Sequence, residues 1–424
     1  MRIFVAALRR SPGFWATPFA IVLGYYMGVA RPDLWSDSRY NTSGHVESLV
    51  VLLGPLAAGI AAWAASRSRR SGFAAILHTT PRSAVRVATL DIAAACAPWT
   101  AGYVVGAVAA FSHTQGAGDI GGALLALGFA GIAAFSTAGY ALGTFGPRRF
   151  TAPAVALTVY TLLILLPQWK PDWLARLSIL DDACCGINVR LRPAVVAGQF
   201  LLLAALALAS LALLASRDER RWRTGAWFAS ACAAATASAM LLTQGGGSLT
   251  VARNAPTSPA CATGEFVTVC LWPEHRYMLT AASEAADLAL GPLQGLPGTP
   301  RALFERGARP ASTPDALEFS VPTTAVPTAL FAADVAQEML PAPPPCSIVG
   351  GEYVDFPGAS ARPYVRAWLQ LQANPHTPLR ELGPEQFQTA VARLVKAPLS
   401  EQRAWYVAAL AAQRDCTTTP PPLP

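Results

Sequence analysis

The side chains in this 424-residue chain that are suited to chemistry are few, and their spacing argues against most reactions. The most conspicuous run is Trp272-Pro273-Glu274-His275, where a carboxylate beside an imidazole suggests a metal site or an acid/base pair. Adjacent residues on an extended segment point to opposite faces, however, so these two would rarely serve one centre. The only other histidine beyond residue 248 is His376, which follows Asn374-Pro375 in an expected turn. A structural or ligand-contact role for Trp272 is the better expectation. A phosphate-binding loop needs Gly-Lys-Ser/Thr, and neither lysine, Lys170 or Lys396, follows a glycine. No H-E-x-x-H helix and no G-x-S-x-G turn is present. The sequence predicts no catalytic residue, no metal and no cofactor held by this chain.

Cysteine chemistry is the second possibility. Of eight cysteines, Cys96 and Cys232 lie in apolar runs and read as small packing residues. Cys261, Cys270, Cys346 and Cys416 fall in the polar last third, where an even number in an oxidising compartment reads as disulfides. Four cysteines allow three pairings. The preferred one is Cys261–Cys270, closing a hairpin around Gly264-Glu265-Phe266, with Cys346–Cys416 tying a proline-rich loop to the C-terminus. A zinc site is the rival, but no C-x-x-C pair or histidine sits at ligand spacing. The adjacent Cys184 and Cys185 form a strained vicinal bridge or pair elsewhere.

The elements that carry these residues follow from composition. Hydrophobic residues make up 53% of the chain and charged residues 13%, about half the usual charged share. Residues 1–247 hold nearly all the long apolar runs. Crossing a hydrocarbon core of about 30 Å takes roughly 20 apolar residues in a helix. Seven segments approach that length: 14–30, 48–66, 88–111, 120–145, 151–167, 194–215 and 226–244. The one formal charge within them is Asp91, near the start of the third, where headgroups make it cheap.

Arginine decides the expected topology. The N-terminus and the loops after spans two, four and six carry 14 basic residues, and the alternate loops carry six. The positive-inside rule then puts the N-terminus in the cytoplasm. Seven crossings place residues 248–424 outside. A cleavable signal peptide ending at Ala30 competes for the first segment; the aromatic 17-residue run favours an uncleaved anchor. The net charge of +7 is lipid-facing arginine, not a nucleic-acid footprint. Thirty arginines against two lysines, with many alanines and prolines, point to a GC-rich, actinobacterial genome.

The expected fold is thus an all-α membrane bundle of about seven helices, followed by a mainly helical α+β extracytoplasmic domain stapled by disulfides. That domain reads as a strand over 264–272 and helices near 276–290, 326–340, 362–373, 384–396 and 400–415. Tyr364, Trp368, Trp405 and Tyr406 are its expected core.

The inner loop 67–87, RSRRSGFAAILHTTPRSAVRV, carries the functional reading. It has a basic start, a short amphipathic helix around Phe73, Ile76 and Leu77, then Thr79-Thr80-Pro81-Arg82-Ser83. This pattern resembles the type-2 ATP-binding-cassette (ABC) exporter permeases, whose loop between the second and third spans docks as a coupling helix into an ATPase subunit. Leu77, Thr79, Pro81, Arg82 and Ser83 match the L-x-T-x-P-R-S segment common there. Residues 1–13 resemble that family's interfacial connecting helix. The loop 168–193, with Trp169, Trp173, Leu174, Leu177, Ile179 and Leu180, resembles its re-entrant helices. The resemblance covers residues 1–215 or so. It implies a permease subunit in a bacterial plasma membrane, with ABC ATPase subunits binding ATP and Mg, and a second permease chain. Gly102-x-x-x-Gly106 and Gly139-x-x-x-Gly143 mark either a dimer face or packing within the chain. The family core has six spans, so the seventh helix and the outer domain are departures. The alternative function is a membrane-anchored sensor or scaffold whose spans hold an outer binding domain; a membrane enzyme ranks last.

Overall fold

The computed structural model describes residues 11–70, 84–146, 150–168, 176, 186–216, 221–243, 249–313, 316–324, 326–342, 344–345, 348–349, 352–353 and 356–424. The chain divides into two units, Met1–Ala252 and Arg253–Pro424.

The first unit is helical. Its elements are α1 (Pro12–Val29), α2 (Arg39–Ser48), α3 (Val50–Arg70), α4 (Ala84–His113), α5 (Gly122–Phe145), α6 (Thr151–Leu165), α7 (Pro193–Ala215) and α8 (Arg221–Thr243). Two short strands join them, β1 (Val189–Leu191) before α7 and β2 (Thr250–Ala252) after α8. Among the described residues six helical stretches are long and apolar enough to cross a membrane. They are Arg39–Arg67, Val85–His113, Gly122–Phe145, Thr151–Gln168, Pro193–Ala215 and Thr224–Thr243. The first expected span, 14–30, is a helix too, but α1 does not reach the hydropathy of these six. Two prolines and three glycines, with Trp15, Tyr25 and Tyr26, dilute its aliphatic content. Expectations for residues 1–10, for most of the 168–193 loop and for Cys184 and Cys185 fall outside the described residues.

Small residues set the packing. Gly24 and Gly28 of α1 face Gly102 and Gly106 of α4, so closely that a Cβ on any of the four would drive into backbone or side-chain atoms of its neighbours. Both numbers rise together, and Gly13 adds a contact at Ala94 and Ala95, so α1 runs parallel to α4. Gly139 and Gly143 of α5 meet Ala58 and Ala62 of α3 in the same way, again in parallel. Both glycine pairs highlighted in the sequence are therefore occupied by contacts within one chain. With no hydrophobic force between helices in lipid, such close backbone approach and interhelical hydrogen bonds are what hold a bundle together.

The second unit is built on a four-stranded sheet in the order β3 (Ala260–Thr263), β4 (Thr268–Leu271), β5 (Ala302–Glu305) and β6 (Leu317–Phe319). β3 and β4 are an antiparallel hairpin, whereas β4, β5 and β6 run parallel. Around it lie α9 (Leu279–Leu290), α10 (Thr328–Gln337), α11 (Arg362–Ala373), α12 (Glu385–Lys396) and α13 (Leu399–Arg414). A two-residue pair, β7 (Ile348–Val349) with β8 (Glu352–Tyr353), stands apart. The five helices match the expected ones. The expected single strand becomes a sheet, because the three- and four-residue strands β5 and β6 each lie inside a loop-like stretch.

The core joins Val269, Leu271, Leu303 and Phe319 of the sheet to alanines of α9, Phe331 and Val335 of α10, Trp368 of α11 and Tyr406 of α13. Trp405 belongs to the same core, with Tyr364 packed at its margin. Gln402 accepts the Trp368 indole N–H at 2.8 Å and donates its amide to Val395 O and Ala397 O, closing the end of α12. Cys261 and Cys270 are opposite one another across β3 and β4 and form a disulfide. Cys416 is also disulfide-bonded, and Cys346, its expected partner, lies outside the described residues. Cys96 and Cys232 are free thiols, as expected.

Candidate functional site

Phe73, Ile76, Leu77, Thr79, Pro81 and Arg82, the expected docking residues, all lie outside the described residues. What is described is their frame, the last residues of α3 and the first of α4. Asp91 of α4 accepts a hydrogen bond from Tyr140 of α5 at 3.1 Å, and the charge of Arg67 at the end of α3 acts on it. The lone charge noted within the spans thus joins α4 to α5 at the end of the bundle where Arg67 closes α3.

The opposite end holds a polar girdle that the sequence hides. α2 reads RYNTSGHVES, a stretch suited to a surface loop, yet Asn41, Thr42, Ser43 and Glu47 are buried. The helix forms because Ser38 caps it, accepting the Asn41 backbone N–H at 3.2 Å. Asp37 accepts both contacts of the Asn41 amide, at 2.8 and 2.9 Å. The hydroxyls of Thr42 and Thr114 share a hydrogen bond of 2.8 Å, and Ser43 Oγ accepts from Gly121 N at 3.0 Å. Tyr40 OH accepts from Leu191 N at 3.2 Å, with the Arg190 guanidinium over the Tyr40 ring. Trp35 stacks on His45 with ring centres 4.4 Å apart. The turn after α1, the loop from α4 to α5 and the strand before α7 are therefore all fastened to α2.

The apolar run predicts that the second span begins at residue 48, with His45 and Glu47 outside it. The helical stretch with membrane-crossing character begins at Arg39, so both lie within it. Glu47 is only 5% exposed, and its charge reaches Tyr103 of α4, whose hydroxyl donates to Leu125 O at 3.1 Å. Ionisable groups inside a membrane helix are costly, which makes Glu47 a residue to test. The only signal for it was a polar decapeptide abutting a span.

The conspicuous run of the second unit sits at the carboxyl ends of the parallel strands, where open α/β sheets usually place their ligands. Pro273–Met278 is a 3-10 helix rather than an extended segment. Glu274 and His275 nonetheless point to different partners. Glu274 pairs with Arg253 at 2.8 Å, and the Arg253 guanidinium lies 4.3 Å from the centre of the Trp272 ring. His275 Nδ1 lies 2.6 Å from Glu305 Oε1, and both side chains are almost wholly buried. The other carboxylate oxygen of Glu305 accepts the Trp272 backbone N–H at 2.9 Å, and the Trp272 indole donates to Arg306 O.

A carboxylate on Nδ1 is how catalytic histidines are oriented, but this imidazole is only 2% exposed. The cluster is a brace: it fixes the end of β4 to the end of β5. Trp272 is buried, with its ring under the Arg253 guanidinium. Glu305 and Arg253 were missed, being 30 residues after and 22 before His275.

Residues 269–416 match a sequence family described as a domain of unknown function, DUF7224. No curated protein and no solved structure matches the chain. The match begins within β4 and ends at Cys416. It includes the His275–Glu305 brace and all five helices of the second unit, and it leaves out β3, Cys261 and the bundle.

No three His, Cys, Asp or Glu side chains gather as a metal-holding group among the described residues. Three titrating groups of the second unit are displaced, the Asp415 carboxyl downwards by the hydrogen bonds it accepts from Thr418 and Thr417. Burial pushes the Tyr406 phenol up to about 12, with Arg414 opposing it. Burial also raises the Asp334 carboxyl, opposed by Arg366.

Proposed function

We propose that this chain is the membrane subunit of an ABC-type exporter, moving a substrate across the bacterial plasma membrane with energy from a separate ATPase. The observation that carries the reading is the polarity of the bundle. Residues 71–83 connect α3 to α4, whose ends here hold Arg67 and Asp91. The girdle and the β1–β2 pair, from which the second unit departs, lie at the other end.

α1 supports a seventh crossing. It is 18 residues long, about 27 Å of helix, and it keeps pace with α4 from Gly13 to Gly28. A helix parallel to a crossing helix over that length crosses with it. An odd count sets the two ends of the chain on opposite sides; with the arginine-rich loops in the cytoplasm, the second unit would lie outside, in the compartment that suits its disulfides. A second permease chain would meet this one through a surface other than the Gly102 and Gly106 face, which α1 covers.

Phe73, Ile76 and Leu77 would fill the ATPase cleft, with Thr79, Pro81 and Arg82 shaping the return to the membrane. ATP and Mg would bind only on the partner. The test is purification of the tagged chain from its own membranes. An ATPase subunit should copurify, and joint Phe73→Asp, Ile76→Asp and Leu77→Asp substitution should release it while the chain still reaches the membrane. Absence of an ATPase from the unaltered preparation would overturn the reading.

A sensor or scaffold is the second reading, favoured by the family match falling on the second unit alone. It expects that unit to capture a ligand or protein whatever happens to loop 71–83.

A further inference from the structure

We draw no further inference here: the strongest candidate, the open small-residue face of α4 lined by Ala93, Cys96, Ala97, Thr100 and Ala101, is an unpartnered apolar surface, and nothing in the structure shows what covers it.

Discussion

The girdle of the first unit and the brace of the second solve one problem by different means. Each ties together loops from elements far apart in sequence, and each is buried. The girdle spreads the task over hydroxyls, an amide and backbone groups, with six of the ten residues of α2 buried. The brace concentrates it in one imidazole–carboxylate contact flanked by an arginine on tryptophan. The difference follows from what surrounds them. In a bundle, many weak hydrogen bonds add to close helix packing, and no single one dominates. In the second unit a hydrophobic core supplies most of the stability, and one ionisable pair placed at its edge becomes a point of failure if a partner is lost.

Substitutions separate the two designs. The largest effect is expected from His275→Leu, which leaves Glu305 buried without its imidazole. Removing one partner of a buried pair costs about 3–5 kcal/mol. Urea unfolding of the second unit, followed by proteolysis of the full chain in detergent, measures it; a loss below 1 kcal/mol would mean that the pair is not a brace. Next comes joint Cys261→Ala and Cys270→Ala substitution, expected to cost about 2–3 kcal/mol for a loop of this length. The same assay with and without reductant should then give one value for the variant, provided the Cys416 bridge is also removed.

A pH effect of about 2 kcal/mol is expected from Tyr406. Its folded-state value lies above its ordinary 10, so the unfolded chain loses its proton first, and stability falls as pH rises from 10 towards 12. Tyr406→Phe should flatten that decline; an unchanged slope would contradict it. The smallest effect is expected in the girdle. Thr42→Val removes the hydrogen bond to Thr114 and should cost about 0.6 kcal/mol, as single bonds between membrane helices do. Thermal denaturation in detergent would read it, and a loss as large as that of His275→Leu would erase the distinction drawn above.

Much of the architecture was legible because its signals are local. Long apolar runs placed the six stretches able to cross a membrane to within a few residues, apart from the start of Arg39–Arg67. The amphipathic periods of 362–373 and 384–396 placed α11 and α12. The hairpin cysteines were legible because the residues between them suit a turn. What escaped depends on partners distant in sequence. β5 and β6 are too short to alternate, and they exist because β4 offers an edge to β5 and β5 offers one to β6. α2 looks like a loop until Thr114, Gly121 and Leu191 arrive to satisfy it. Nothing near His275 announces Glu305. Composition counted α1 with the other spans; its prolines and aromatics lower its hydropathy, and its glycines pack it along α4.

The short β1–β2 ribbon carries a mechanical consequence. Val189, Arg190 and Leu191 pair with Ala252, Val251 and Thr250, so the strand ahead of α7 is laced to the strand that leaves α8. A pull on the last 172 residues therefore does not peel α8 away from its end. The load is shared across the ribbon, and the α7–α8 hairpin is gripped at both feet and displaced as one piece.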